Sequence, residues 1–498
     1  MARRTALLTR FDKTLTRVLS APGGFVALNV PAYIALFVIH LRHSLPSLVV
    51  DQVPPDLGYG GTNRTLQALQ LLCFAYLFLV YALTLWRWPR LTFTPRHLAW
   101  SALAVGLMAA SLLPANSSDV LEYIGFGRLA AIYHVSPYLH TYSEFTDRFA
   151  SYVTWDEPMP YGPVVLPIFA LAGLVSEHHV LLAMYVIKVA WMLIHLVNVW
   201  LVYRMAHAFS REPAYAAFIF AFNPLVLVEQ AGNGHNDGLL VLCALLAVVA
   251  WQRGYAGLAV WCALLSALVK ISGLFWVAAV VALLVRERRW RALAFAAAAC
   301  VASGVLLVAL FPTPGGVVTL MDTQWQFSED SLHTVLIDSV GGLGRTWNLA
   351  WEYDDLFRVD RVIFSALFAA VCLWRLTVIR DLPGVVREVG HLLLVLLLGY
   401  AVSVYPWYMV WLLPIAALTD SAGLRRTILV ASAASLVLYA FPATLVERVP
   451  LLSLLRLSLA FVLPILFWVG HGIRDWRAVG AGLVYKPQCS VAAVGLNP

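Results

Sequence analysis

Charge is what this sequence has least of. Asp, Glu, Lys and Arg together supply 12% of its 498 residues, against 61% hydrophobic residues and a mean hydropathy of +0.79. A soluble chain of this size could not cover its surface with so few charges. The repeated apolar runs of roughly 18–20 residues are instead the length of membrane spans. A disulfide framework is also absent: Cys73, Cys243, Cys262, Cys300 and Cys372 lie in apolar runs, and Cys489 lies in the tail. There is no Walker loop, dinucleotide fingerprint, haem motif or zinc motif, which argues against ATP-driven transport and against nucleotide-sugar chemistry in a soluble domain. No repeat, low-complexity tract or clear linker divides the chain. The basic N-terminus leads through Pro22-Gly23-Gly24 into a full-length span without a clear cleavage site, so no removable signal peptide is expected. The net charge of +7 is no nucleic-acid signature, because much of the basic excess falls in short segments between spans.

The expected fold is therefore all-α: one polytopic integral membrane domain over residues 1–498. Arg3, Arg4, Arg10, Lys13 and Arg17 precede the first span and assign the N-terminus to the cytosol. Spans are expected near 24–41, 66–86 and 98–114, with Arg87, Arg90 and Arg96 in a cytosolic turn. The segment 115–179 is then a long extracytosolic loop, and a span near 180–203 returns to Arg204 and Arg211. Further spans near 213–230 and 238–252 put 232–237 outside, and 255–285 forms two short spans bent around Lys270. A span at 292–311 precedes a second outer loop, 312–358, and five more lead to a cytosolic tail, 473–498, for about fourteen spans in all. Thirteen of the 27 Asp and Glu residues fall in the windows 115–161 and 312–358, which points to folded outer loops carrying interfacial helices. The segment after Tyr161-Gly162-Pro163 is either interfacial or partly inserted.

Several residues in these loops carry chemistry. Asp119 follows the third span at a water–lipid boundary, where a carboxylate can take a proton from a hydroxyl group. Asp119 followed by Glu122 three residues on also fits a helix capping box. Beyond it, Tyr138 and the run Trp155-Asp156-Glu157-Pro158-Met159-Pro160-Tyr161 suggest a rigid sugar-facing turn or an aromatic-belt anchor, with Asp156 and Glu157 as candidate acceptor contacts or a secondary acid pair. Gly232-Asn233-Gly234-His235-Asn236-Asp237-Gly238 closes an outer hairpin, where glycines allow a tight turn and His235, Asn236 and Asp237 present polar groups together. A solvated turn would read the same way. Two such ligands without a partner set are weak grounds for a metal. Lys270 interrupts an apolar stretch, where a lysine either pairs with a phosphate or snorkels to the interface. Arg128, Arg345 and Arg358 are other candidate phosphate partners. Tyr405-Pro406-Trp407-Tyr408 joins two spans as a stacking surface or an aromatic-belt turn.

Four segments together resemble a GT-C superfamily glycosyltransferase, and most resemble the polyprenol-phosphate-mannose-dependent α-(1→6)-mannosyltransferases of actinobacterial lipomannan synthesis. They are Ser118-Asp119-Val120 through Gly127-Arg128-Leu129 to Ser136-Pro137-Tyr138; Tyr161-Gly162-Pro163; Asn223-Pro224-Leu225 with His235-Asn236-Asp237-Gly238; and Pro406-Trp407-Tyr408. The resemblance covers roughly residues 98–420. It implies inverting transfer of a sugar, mannose first among candidates, from a polyprenyl-phosphate donor to a mannan or glycolipid acceptor at the outer face of the plasma membrane. Asp119 would be the general base, with Lys270, Arg345 or Arg128 stabilising the leaving phosphate. Glu122, Tyr138, Asp156, Glu157, Tyr161, His235, Asn236, Asp237, Trp407 and Tyr408 would line the substrate pocket. No metal or other cofactor is implied, since phosphate is itself a good leaving group, and no nucleic acid is expected as a partner. A lipid-linked-sugar flippase would instead distribute its charges through midplane half-helices and inverted repeats. A ligase moving a preassembled glycan would need a long open acceptor groove.

Overall fold

The computed structural model describes residues 13–21, 23–49, 64–310, 353–439 and 455–480, with short helical pieces between 331 and 341. Most of the second outer loop, with Arg345, and the residues after 480 lie outside that description. The described residues are helical and contain no strand. In chain order the helices used below are α1 (Gly24–Val49), α2 (Arg64–Arg87), α3 (Pro95–Ser111), α4 (Asp119–Ala131), α5 (Leu166–Ser176), α6 (Val180–Met205), α7 (Pro213–Ala221) and α8 (Pro224–Gly232). They continue as α9 (Asp237–Gln252), α10 (Ala256–Ala267), α11 (Leu274–Arg286), α12 (Trp290–Leu310), α13 (Tyr353–Thr377), α14 (Leu382–Val395), α15 (Pro406–Leu418), α16 (Ala422–Ser435) and α17 (Leu463–Gly480).

Among the described residues, five helices are long and apolar enough to cross a membrane, and a sixth if the bent pair α7–α8 is one span. The other apolar helical stretches are 10–17 residues long, and the count of about fourteen spans is not confirmed among the described residues. At a rise of about 1.5 Å per residue, a twelve-residue helix such as α10 falls well short of a hydrocarbon core of about 30 Å. The expectation of two short spans bent at Lys270 matches α10 and α11, which are separated by an extended Lys270.

Local chemistry explains the boundaries. Thr94 caps α3 by accepting from the His97 amide, with Pro95 in the first turn. Asn223 caps α8 in the same way, accepting from Leu225, and Pro224 follows it. The missing proline N–H interrupts the helical ladder here, and the two limbs meet at 50°. The segment after Tyr161-Gly162-Pro163 forms α5, an eleven-residue helix packed on α4. A Cβ on Gly127 would come within 1.8 Å of the Phe169 carbonyl oxygen, and one on Gly173 within 2.5 Å of Gly127, so only glycine allows this approach. Tyr123 stacks on Phe169 across the same contact at 4.5 Å.

The connection from α3 to α4 is held from three helices. Its carbonyl groups, left over at the end of α3, accept from Tyr185 (at Ser111, 3.2 Å), from the buried Lys188 ammonium (at Leu112) and from His40 Nδ1 (at Leu113, 2.7 Å). Gln70 donates to Asn116 Oδ1 at 2.5 Å. The start of α4 is thus fixed by side chains of α1, α2 and α6.

Candidate active site

Four chain segments meet at one end of the helices: the start of α4, the turn between α8 and α9, the break between α10 and α11, and the start of α15. Asp119 is the first residue of α4 and is 5% exposed. Its carboxylate accepts from the Ser117 hydroxyl at Oδ1 and from Tyr123 and Tyr161 hydroxyls at Oδ2, each at 3.2 Å. His235 Nδ1 lies 3.6 Å from the same Oδ2. Burial alone would push the Asp119 acid up, but His235, the Ser117 hydroxyl and the nearby Lys270 charge hold it below its ordinary value. Burial pushes the Tyr123 and Tyr161 phenols well above theirs, so both remain donors to the carboxylate. The capping-box reading is corrected here: Ser118 occupies the cap position without a side-chain bond, and Asp119 turns its carboxylate to hydroxyls. Glu122 is also elsewhere engaged, its Oε1 accepting from the Thr154 amide and hydroxyl, both at 2.8 Å.

Lys270 stands opposite. Its ammonium donates to Asp237 Oδ1 at 2.8 Å and lies 5.3, 5.4 and 5.9 Å from the ring centres of Tyr161, Tyr408 and Trp411. Trp411 Nε1 donates to the same Asp237 oxygen at 2.6 Å. An ammonium has three donors, so pairing with Asp237 leaves capacity for an anion. Gly162 brings Tyr161 to this lysine. Its amide donates to the Val269 carbonyl at 3.1 Å, and a Cβ there would sit 1.9 Å from the Leu268 oxygen. The turn from α8 to α9 passes through Gly234 at φ 86, as its glycines suggested. His235 stacks on Trp407 at 4.0 Å, and Trp407 on Tyr405 at 4.5 Å. Asn236 is wholly buried, and neither polar atom of its side chain is hydrogen-bonded among the described residues, nor is Asp237 Oδ2. Such unpaired polar atoms in a buried site are what a hydroxyl-rich ligand would satisfy.

The structure therefore brings together Asp119, Tyr161, His235, Asn236, Asp237, Lys270, Trp407 and Tyr408. It engages other candidates differently. Arg128 donates to Tyr142, Ser176 and Asp147 at 2.7, 2.8 and 2.7 Å, and a closed set of partners argues against a phosphate role. Tyr138 is buried in the apolar core, Asp156 is exposed and accepts from Ser143, and Glu157 is partly exposed, its acid raised by burial and by Asp156. Arg358 is exposed beside Asp355. Sequence reading missed Glu229, whose Oε2 lies 3.3 Å from His235 Nε2, and Trp411. An acid near the end of an apolar span was the available signal for Glu229. Among the described residues, no group of three His, Cys, Asp or Glu side chains is arranged to hold a metal ion.

Residues 52–286, which supply every part of this cluster except the α15 aromatics, match the family model described as alpha-(1->6)-mannopyranosyltransferase, N-terminal domain, of the MptA_B family. No curated protein matches the chain. The match covers three of the four segments that carry the resemblance, not Pro406-Trp407-Tyr408, and points to a mannosyltransferase.

Proposed function

We propose that the protein is an inverting mannosyltransferase that uses a polyprenyl-phosphate-mannose donor and a mannan or glycolipid acceptor, with Asp119 as general base. The observation that carries this reading is a buried, low-pKa carboxylate facing a lysine in an aromatic cage, within a segment matching an α-(1→6)-mannopyranosyltransferase model. In the proposed step, Asp119 takes the proton of the acceptor hydroxyl as that oxygen bonds to the anomeric carbon. The bond from that carbon to the phosphate oxygen breaks, and its electron pair leaves with the polyprenyl phosphate. Lys270 receives the growing phosphate charge, and Asp237 with Trp411 holds the ammonium in place. Asn236 and the Tyr405–Trp407 stack would contact the sugar. A β-linked donor would give an α-linked product.

An outer-face location is supported by the distribution of arginines. Arg87, Arg204, Arg253 and Arg286 lie at or just beyond the far ends of α2, α6, α9 and α11, while the cluster gathers at the opposite ends. The test is transfer by purified protein in lipid, with a radiolabelled polyprenyl-phosphate-mannose donor and a short α-mannoside acceptor. Transfer that persists in a chelator is expected. Loss of transfer with rescue by Mg²⁺ or Mn²⁺ would refute the metal-free form of the reading, and no transfer under any condition would remove mannose as the donor sugar.

A further inference from the structure

Glu229 has no part in the step just described, yet it is the only charged residue between Pro213 and Gly232 and is wholly buried. An ionisable side chain buried in so apolar a helix pair is costly and marks a function by default. It lies in a wide turn that ends α8, where the Asn233 amide reaches back five residues to the Val228 carbonyl at 2.7 Å. Wide turns of this kind recur at functional sites. This one aims the Glu229 side chain toward the next turn rather than along the helix. Asn233 Nδ2 donates to Glu229 Oε2 at 3.0 Å, and the His235 amide donates to the Glu229 carbonyl at 2.9 Å. The His235 ring then spans two carboxylates, with Nε2 at 3.3 Å from Glu229 Oε2 and Nδ1 at 3.6 Å from Asp119 Oδ2, while Trp407 covers one ring face.

Two acids face one imidazole, and Asp119 is held as a carboxylate. Neither ring nitrogen is in hydrogen-bond geometry with a described residue, so the two carboxylates act on the ring across 3.3 and 3.6 Å as electrostatic contacts, and Glu229 holds the ring from the side opposite Asp119. The other groups that face Asp119 are Ser117, Tyr123, Tyr161 and the Lys270–Asp237 pair. Glu229 is the group that faces Nε2.

We propose that Glu229 is a positioning residue: through its contact with His235 it fixes the ring orientation that keeps Asp119 aimed at the acceptor hydroxyl. The proposal rests on Asp119 being the base. It needs no new chemical step, since the hydroxyl proton still goes to Asp119.

The experiment is steady-state transfer by the full-length protein in lipid for wild type, Glu229→Gln, His235→Ala, the double variant and Asp119→Asn, with thermal unfolding of each. Glu229→Gln should lower kcat about 10–100-fold, the usual cost of removing such a supporting partner. Donor and acceptor KM should stay near wild type. His235→Ala should cost at least as much, and adding Glu229→Gln to it should cost nothing further, because Glu229 acts only through the ring. His235→Gln, which restores a side-chain N–H donor, should recover part of the loss. Wild-type turnover by Glu229→Gln alongside an inactive Asp119→Asn would overturn the proposal and leave the base reading standing. Equal losses from Glu229→Gln in both His235 backgrounds would also overturn it. A fully active Asp119→Asn would instead overturn the base reading, and this proposal with it. Should Glu229→Gln fail to fold, Glu229→Asp takes its place. One methylene shorter, it cannot keep the 3.3 Å contact and should show the same kcat loss, so wild-type turnover by it would count against the proposal.

Discussion

The two ends of α4 use the same materials to opposite effect. At its start, Asp119 is surrounded by tyrosine hydroxyls, a histidine and a lysine, yet the neighbouring Asn236 and one oxygen of Asp237 have no partner among the described residues. At its end, Arg128 is likewise buried among tyrosines and an acid. There Asp147 accepts from Arg128, Tyr133 and Tyr142 with Oδ2 and from the amides of Phe149 and Ala150 with Oδ1. The guanidinium gives its remaining bonds to Tyr142 and Ser176. A closed network holds a loop against a helix, whereas a cluster with polar capacity left over is poised for something that arrives. Residue type alone does not separate these cases, and the bookkeeping of donors and acceptors does.

The sharpest way to break this contrast is Asp119→Asn. The amide fills the same space and keeps an acceptor oxygen, so the protein should reach the membrane and unfold at a similar temperature, while kcat falls about 10²–10⁴-fold. Normal turnover in the transfer assay would make the Asp119 end as purely structural as the Arg128 end. Arg128→Met tests the other side. It removes the one charged donor to Asp147, which keeps its bonds from Tyr133, Tyr142 and the Phe149 and Ala150 amides, together with the bonds to Tyr142 and Ser176, and should lower stability by about 1.5–3 kcal/mol. Transfer per folded molecule should change little. A large fall in kcat with an unchanged unfolding temperature would return Arg128 to the candidate phosphate partners.

How much of this was legible in the sequence follows from range. The helical, membrane-embedded character shows in every apolar run, and Asp119, His235, Asp237 and Lys270 stand out because each is polar where its neighbours are not. The partners of Arg128 were not legible: its main partner is nineteen residues away, and the two meet only because the loop after α4 folds back on the helix. Glu229 was hidden at the end of an apolar span, beside a turn whose wide hydrogen bond no local pattern announces. The two short spans at Lys270 were legible for the opposite reason: Lys270 interrupts the apolar run, and α10 and α11 end and begin beside it with twelve and thirteen residues.

Lys270→Ala probes the unsaturated end from the donor side. A charge-assisted hydrogen bond to phosphate contributes about 1.5–3 kcal/mol, so donor binding should weaken about 10–100-fold while acceptor binding changes little. The cage sharpens the comparison with Arg128: three aromatic faces hold the ammonium without using its N–H groups, which a set of hydrogen-bond acceptors would have consumed. Equal donor affinity of variant and wild type in a direct binding assay would remove the phosphate role.

The smallest effect concerns Glu122, which lies between the two ends of α4 and belongs to neither. Burial pushes its acid up to about 7, although the Thr154 and Trp155 amides and the Thr154 hydroxyl favour the charged form. An acid raised in the folded state binds its proton more tightly there than in the unfolded chain. Its contribution to stability is therefore complete below the ordinary value of 4.5 and is lost as pH rises toward about 7. The full difference corresponds to at most about 3 kcal/mol, and structural relaxation around the charge should leave about 1–2 kcal/mol. Glu122→Gln keeps an acceptor for Thr154 and carries no charge, so its unfolding temperature should match wild type near pH 5 and exceed it near pH 8. A variant equally destabilised at both values would show that Glu122 serves Thr154 as a carboxylate throughout, and that its burial is compensated as completely as that of Asp147.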